Sequence, residues 1–422
     1  MLQEKLYYVH RISAPADTQD DENIKKYFLY LLPIIAKEEK IVEEVETWPY
    51  VFVFDKDQVK SKDEMTVTYF QRQTGIYEGC FVKIVNRKIE NANTTKLAKK
   101  YILDGNKHRN NIKKYRSSSP SDITGTVSDV CSYHINVGHG NTSIIAFQEN
   151  GICHLWMIDC AYIEIKTWHN YRQNLDVCFN YIKNKYNLQE IKIEKLLITH
   201  VHYDHISTVT QLIREKYFAD NLEIWLNDTF ACSTKTYSDM INELENHADD
   251  SEINCRIIDP IVSSSQGTIE VLYPQTSYTG THLKTANRAP DGKINNASVV
   301  YRINLAGHSM IFTGDIEEKG WEEIKNYHSC IIRPNYYCIS HHGSINGHVP
   351  TVWCSPLCGL FDDRCCCCCK AMDAAILMGR DGFYKGIFSP TVINYYARIL
   401  HITEKSQHFI EIEWQSGVVN EF

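Results

Sequence analysis

Between Thr199 and His205 the chain carries His200, His202, Asp204 and His205, three imidazoles and one carboxylate within six consecutive positions. A lone histidine in a loop is usually solvated or bonded to a neighbour. Three of them interleaved with an aspartate in this order point to a metal site. Imidazole nitrogen and carboxylate oxygen suit zinc, manganese or iron, and no thiolate is required. In an extended segment alternate side chains share a face. His200, His202 and Asp204 are then expected to point one way and His205 another, so that one short segment serves two adjacent metal positions.

Three further segments offer matching donors. Ile311-Phe312-Thr313-Gly314-Asp315 reads as a strand ending in Gly-Asp, where the glycine permits a tight turn and the carboxylate could bridge two cations. Tyr337-Cys338-Ile339-Ser340-His341-His342-Gly343-Ser344 reads as a strand ending in paired histidines. Ile158-Asp159-Cys160 places an acid at the end of another. An aspartate at a strand end is commonly just a turn former. Their joint placement at strand ends carries the signal.

The elements that must hold these residues follow from periodicity. Ile193 to Ile198 is an apolar run that reads as a buried strand leading directly into the histidine cluster. Ser132 to Val137, Thr142 to Phe147, His154 to Ile158 and Glu223 to Leu226 also read as strands, and Asn174 to Tyr186 and Ile206 to Tyr217 as helices. Ser298 to Leu305, a turn at Gly307, and Met310 to Thr313 read as a hairpin. This mixture predicts an α/β domain over residues 124–422, with layers of sheet covered by helices.

Residues 1–123 read as a separate N-terminal α+β accessory domain. A helical segment over Asp21 to Val45, kinked or divided at Pro33, precedes strands over Tyr50 to Phe54, Met65 to Phe70 and Gly79 to Val85. From Lys83 to Arg116 eleven lysines and arginines face only Glu90 and Asp104. Such a stretch could track a phosphate backbone, although a solvated helix face is the commoner meaning. Ser117-Ser118-Ser119-Pro120-Ser121 reads as a linker.

The formal net charge of −8 over 422 residues gives no global attraction to nucleic acid or to a membrane. The first residues include Gln3, Glu4 and Lys5 instead of an apolar leader, so cytoplasmic residence is the default expectation. Tyr27 to Ala36 is too short to span a bilayer and contains Pro33, so no membrane association is expected. The sixteen cysteines include five in a row, Cys365 to Cys369. Cys354, Cys358 and that run could hold a structural metal; a cysteine-rich loop or helix without one is the reading preferred here.

These motifs resemble the metallo-β-lactamase fold, in particular the subgroup that includes the nuclease domain of bacterial DNA-uptake (competence) proteins and a phosphorylcholine esterase. The resemblance covers about residues 130–400. It rests on Asn136-Val137-Gly138-His139-Gly140-Asn141, Ile158-Asp159, the cluster from His200 to His205, Asn295-Asn296-Ala297-Ser298, Thr313-Gly314-Asp315 and His341-His342-Gly343-Ser344. It implies a four-layer αβ/βα sandwich with a dinuclear centre. His200, His202 and His341 would hold the first metal, Asp204 and His205 the second, with Asp315 bridging and His342 the competing choice for His341. His308, in the hairpin turn, is not expected to ligate. Three positions depart from the subgroup: Asn141 stands for its usual Asp, Ala161 for its usual Gly, and Ile387 for a further His near the C-terminal end. Because isoleucine cannot ligate, the first metal position is expected to be the secure one and the second weak, completed by water, or empty. His348 is a conceivable substitute.

The resemblance implies a zinc- or manganese-dependent hydrolase, most simply a phosphodiesterase or nuclease. In it Asp204 would position water or the second ion, Asn295 and Ser344 would donate to substrate, and the basic stretch 83–116 would guide a nucleic-acid strand. Hydrolysis of a small ester or phosphoester uses the same residues. A degenerate, non-catalytic binding protein is the third expectation.

Overall fold

The computed structural model describes residues 6–13, 28–37, 40–43, 74–76, 80–85, 88–92, 115–117, 120–161, 171–227, 235–249, 255–260, 267–274, 294–327, 334–353, 372–384 and 386–422. The strands expected at 50–54 and 65–70 lie outside these residues, as do Cys354, Cys358 and Cys365 to Cys369 and most of the basic stretch, 93–114.

Strands β1 (Leu6–Ser13), β2 (Phe28–Lys37), β3 (Lys40–Glu43), β4 (Phe81–Val85) and β5 (Lys88–Asn91) pair in the order β3-β2-β1-β4-β5. Where a helix is expected from Asp21 to Val45, the described residues form the β2–β3 pair instead. The segment is rich in aromatic and β-branched residues, which favour strands. Pro33, which would cost a helix one hydrogen bond, sits opposite Tyr7 in the β1–β2 register.

The larger body is built from two sheets. One runs β20-β19-β7-β8-β9-β10-β11-β12-β6, comprising β6 (Arg116–Ser117), β7 (Val127–Ile135), β8 (Thr142–Glu149), β9 (Ile152–Cys160), β10 (Ile193–Leu197), β11 (Phe218–Trp225), β12 (Arg256–Ile258), β19 (Phe409–Glu413) and β20 (Val418–Glu421). The other runs β13-β14-β15-β16-β17-β18, comprising β13 (Ile269–Tyr273), β14 (Val300–Leu305), β15 (His308–Phe312), β16 (Tyr336–Cys338), β17 (Ala374–Leu377) and β18 (Leu400–Ile402). The expected hairpin is present. Leu305 pairs with His308 across a two-residue turn, and Ala306 and Gly307 both have positive φ, the turn whose twist matches paired strands.

Side-chain period two sorts each strand between two cores. Ile145, Phe147, Trp156, Ile158 and Leu197 of the first sheet meet Tyr301, Ile303, Met310, Phe312, Tyr336 and Ile376 of the second in one central core. The alternate residues Ile144, Ala146, Leu155, Met157 and Leu196 face outward against helices α1 (Tyr171–Lys185), α2 (Tyr203–Ile206), α3 (Val209–Arg214) and α4 (Lys235–Asp249). On the far side Val300, Ile311, Tyr337, Ala375 and Leu377 pack against α5 (Glu318–Tyr327) and α6 (Pro390–Tyr396). The result is the expected αβ/βα sandwich.

Two details bear on the body's edges. Arg116–Ser117 pairs with β12, so the large sheet takes up chain already before residue 120. Ser121, within the expected linker, donates through its backbone N–H and its hydroxyl to Glu223. Glu223 is buried and also accepts from Lys195 Nζ at 2.7 Å, Trp225 Nε1 at 2.9 Å and Arg256 at 2.8 Å. No described helix is long and apolar enough to cross a membrane.

Candidate metal centre

Strands β9, β10 and β11 run parallel in the first sheet, and β15, β16 and β17 in the second. Loops leaving the carboxyl ends of parallel strands are where α/β sheets collect ligands. Asp159 ends β9, the histidine cluster follows β10, Asp315 follows β15 and the paired histidines follow β16. The two sheets are stitched together at this end. Val299 N–H donates to Thr199 O at 2.7 Å, and Tyr301 Oη donates to Ile198 O at 3.0 Å. Gly314, at φ +51°, lies so close to Thr199 that a Cβ would meet its Oγ1 at 2.6 Å.

Among the described residues, two groups of donors result. Asp204, His205, Asp315 and His342 form one, and His200, His202 and Asp315 the other. All six residues are buried. Asp315 belongs to both groups, the place expected of a bridging carboxylate.

Two expectations change. The cluster is not extended throughout: a short helix starts at Tyr203, and Asp204 falls in the donor group of His205, not in that of His200 and His202. His342 joins the metal-facing set in place of His341. Both residues adopt left-handed backbone, φ +51° and +49°, a costly conformation for non-glycine residues that a site must over-determine. The two neighbouring rings consequently aim differently. His342 Nε2 lies 3.4 Å from Asp204 Oδ2 and 3.6 Å from Asp315 Oδ1. His341 Nε2 accepts from Asn295 Nδ2 at 3.1 Å, with Asp315 Oδ2 3.9 Å away, and its Nδ1 faces Glu317 at 3.5 Å. His341 belongs to neither donor group. Among the described residues, the group with Asp204 and His205 offers four donors and the one with His200 and His202 three.

The polar shell fixes the rings. His205 Nδ1 bonds Asp159 Oδ2 at 2.7 Å, and Asp159 Oδ1 accepts the Thr199 N–H at 2.7 Å. His342 Nδ1 bonds the Met378 carbonyl at 3.0 Å. With Nδ1 donating, both rings present Nε2 as a lone pair, the outer-shell arrangement that sets a metal-binding tautomer. His205 Nε2, His342 Nε2 and Asp315 Oδ1 are buried and make no hydrogen bond. His205 Nε2 and Asp315 Oδ1 face each other at 3.3 Å. Buried polar atoms are ordinarily satisfied, so this convergence of lone pairs fits a divalent cation.

Electrostatics agree. Burial pushes the Asp315 carboxyl up, but His342, His205 and His341 outweigh it and hold it well below the usual range. Burial alone would lower His205, yet Asp159 and Asp315 hold it well above its ordinary value. Carboxylates that draw a proton onto a buried ring favour positive charge there, and a cation answers the same demand. Burial, with His205 and His202 nearby, pushes His200 well below its ordinary value, which leaves a neutral imidazole able to ligate.

The remaining sequence candidates fall nearby or elsewhere. Asn295, on the 3₁₀ turn Ile294–Ala297, bonds His341 and lies 3.4 Å from Glu317 Oε1. The Ser344 hydroxyl donates to Asn346 Oδ1. His308 bonds Ala306 O at the hairpin. His348 packs against Tyr395 and Tyr396, with ring centroids 4.9 and 5.8 Å away. Ile387 is buried in the outer apolar core beside α6. Asn141, where the subgroup has Asp, is buried and anchors its backbone N–H on Asp204 O at 2.9 Å. No sequence motif points to Glu317 or to the Met378 carbonyl. Glu317 stands two residues beyond Asp315, a spacing without a distinctive signature, and a backbone carbonyl leaves no mark in side-chain identities.

No family model matches the chain, and no curated protein does. Among solved structures it is similar to the metallo-beta-lactamase fold protein YhfI from Bacillus subtilis, at 13% identity and a TM-score of 0.35, covering 65% of this chain and 96% of that one. It is also similar to the short form of human tRNase Z, at 12% identity and a TM-score of 0.29, covering 65% of this chain and 93% of that one.

Proposed function

We propose that the protein is a metal-dependent hydrolase whose substrate is a phosphodiester. The observation that carries this reading is the convergence of hydrogen-bond-free, buried His205 Nε2, His342 Nε2 and Asp315 Oδ1, with Asp315 shared between two donor groups. Divalent cations bound there would lower the pKa of water and offset charge on the oxygens of a phosphoester, and two adjacent positions suit in-line displacement. The nitrogen and oxygen donors suit zinc or manganese.

The chain's own residues divide the remaining work. Asp159 and the Met378 carbonyl hold His205 and His342 in register. Asp204 is the acid best placed to orient attacking water. Asn295 keeps His341 turned toward Asp315, where its ring can face a substrate oxygen. Ser344 contributes by holding Asn346, which donates to Glu317 at 3.0 Å. Nucleic acid is the polymeric substrate we favour, with the basic stretch 83–116 as its guide.

The test is hydrolysis of a small chromogenic phosphodiester and of single- and double-stranded DNA and RNA, with Mn²⁺ or Zn²⁺ added, by the full chain and by His342→Ala. Turnover that the variant loses supports the reading. No turnover on any of these by a protein that binds its metal defeats it. A nucleic-acid substrate should bind with affinity that falls steeply as salt rises. Turnover of the small diester without such binding would point to a small ester or phosphoester instead.

A further inference from the structure

The loop at 138–141 carries a side chain with no role in the preceding reading. Gly140 has φ +140°, and a Cβ there would meet the Asp204 carbonyl oxygen at 2.7 Å. The Asn141 N–H donates to that carbonyl at 2.9 Å. The loop is thus fastened to the backbone of Asp204, and this close approach delivers His139 to the acid's side chain. The His139 ring is buried, and its Nε2 lies 3.2 Å from Asp204 Oδ2. That oxygen is the one facing His342 Nε2 at 3.4 Å.

The ring is gripped from several directions. Phe383 stacks on it, with centroids 4.4 Å apart and planes 8° from parallel. Tyr384 meets it edge-on at 4.5 Å, and His342 closes another side at 4.2 Å. His139 belongs to neither donor group, so it acts on the centre through Asp204.

We propose that His139 is a positioning residue, whose Nε2, in ion-pair contact with Asp204 Oδ2 at 3.2 Å, holds the Asp204 carboxylate in the orientation that completes the four-donor group. The proposal rests on the metal-site reading above. Outer-shell partners of this kind change metal affinity about 10- to 100-fold.

Mn²⁺ alone is the probe, titrated into the full-length wild type, His139→Ala, His139→Gln and His342→Ala and followed by electron paramagnetic resonance, with the Tm of each metal-free protein measured in parallel. The expected result is about 10- to 100-fold weaker Mn²⁺ binding by His139→Ala. His139→Gln, whose amide can donate to the same oxygen, should recover most of the loss. Equal affinity of wild type and His139→Ala overturns the proposal, as does a Gln variant as weak as Ala at unchanged Tm. Should His139→Ala not fold, His139→Gln and Phe383→Leu carry the test. The Leu variant, with its stack loosened, should then bind Mn²⁺ more weakly than the Gln variant, and equal affinities overturn the role. A wild type that binds no Mn²⁺, or a His342→Ala variant that binds as tightly as wild type, overturns the metal reading and this role with it.

Discussion

His205 and Asp159 form a buried pair, Nδ1 to Oδ2 at 2.7 Å, that turns the far nitrogen of the ring toward Asp315. Asp159 reaches this position from β9 with φ +53°, an uncommon conformation for a non-glycine residue. It also caps the Thr199 N–H at the start of the histidine cluster. One carboxylate therefore fixes both the backbone entering the cluster and the tautomer of its last histidine.

Asp159→Asn keeps the volume and can still accept from Thr199. Its amide, turned toward His205 Nδ1, would drive the ring proton to Nε2 and block the donor lone pair. Zinc or manganese affinity should fall about 10- to 100-fold with secondary structure unchanged. A competition titration with a chromogenic chelator, alongside circular dichroism, measures both.

His342→Ala and His341→Ala should separate. The first removes a member of the four-donor group and should lower bound metal by one equivalent. The second should leave metal content unchanged and reduce turnover. Elemental analysis of the purified variants decides, and the reverse pattern would return the ligand role to His341.

Gly379 has φ +120°, and a Cβ there would meet His342 Nδ1 at 2.9 Å. Gly379→Ala combines backbone strain with displacement of that ring. The expected cost is about 1 to 3 kcal/mol of stability, with metal loss like that of His342→Ala. Denaturant unfolding and metal analysis on one preparation test it.

Glu223 should contribute to acid stability. Burial pushes its carboxyl up, but Lys195, the Ser121 N–H and Trp225 overcome that and hold it below its ordinary value. A folded-state value below the unfolded one means that its contribution is fully present above the unfolded pKa of about 4.3 and is lost as pH falls through the folded value. Glu223→Gln leaves buried Lys195 without its hydrogen-bonded counter-charge and should cost about 3 to 5 kcal/mol at neutral pH. The difference between wild type and variant should shrink as pH drops from 5 toward 3. Urea midpoints across that range give the result.

The sequence was most legible where one physical rule dominates. Ile193 to Leu197 could only bury as a strand, and the Gly307 turn, with its two short apolar flanks, could only close a hairpin. The β2 segment is not legible in this way, because an apolar run containing Pro33 fits a broken helix and a paired strand equally well until its partner Tyr7 is known.

By itself the sequence determined the donor chemistry: imidazoles and carboxylates gathered at strand ends, in an order that suits a metal and a sandwich of sheets to present it. Only the tertiary structure decided which donors converge. Asp204 fell in with His205, not with His200 and His202. Left-handed backbone at 341 and 342 aimed two identical side chains differently, and the Met378 carbonyl and Asp159 set which nitrogen of each ring faces inward. Residue type fixes what a side chain can bind. Backbone torsion and long-range packing fix where it points, and neither is written in local spacing.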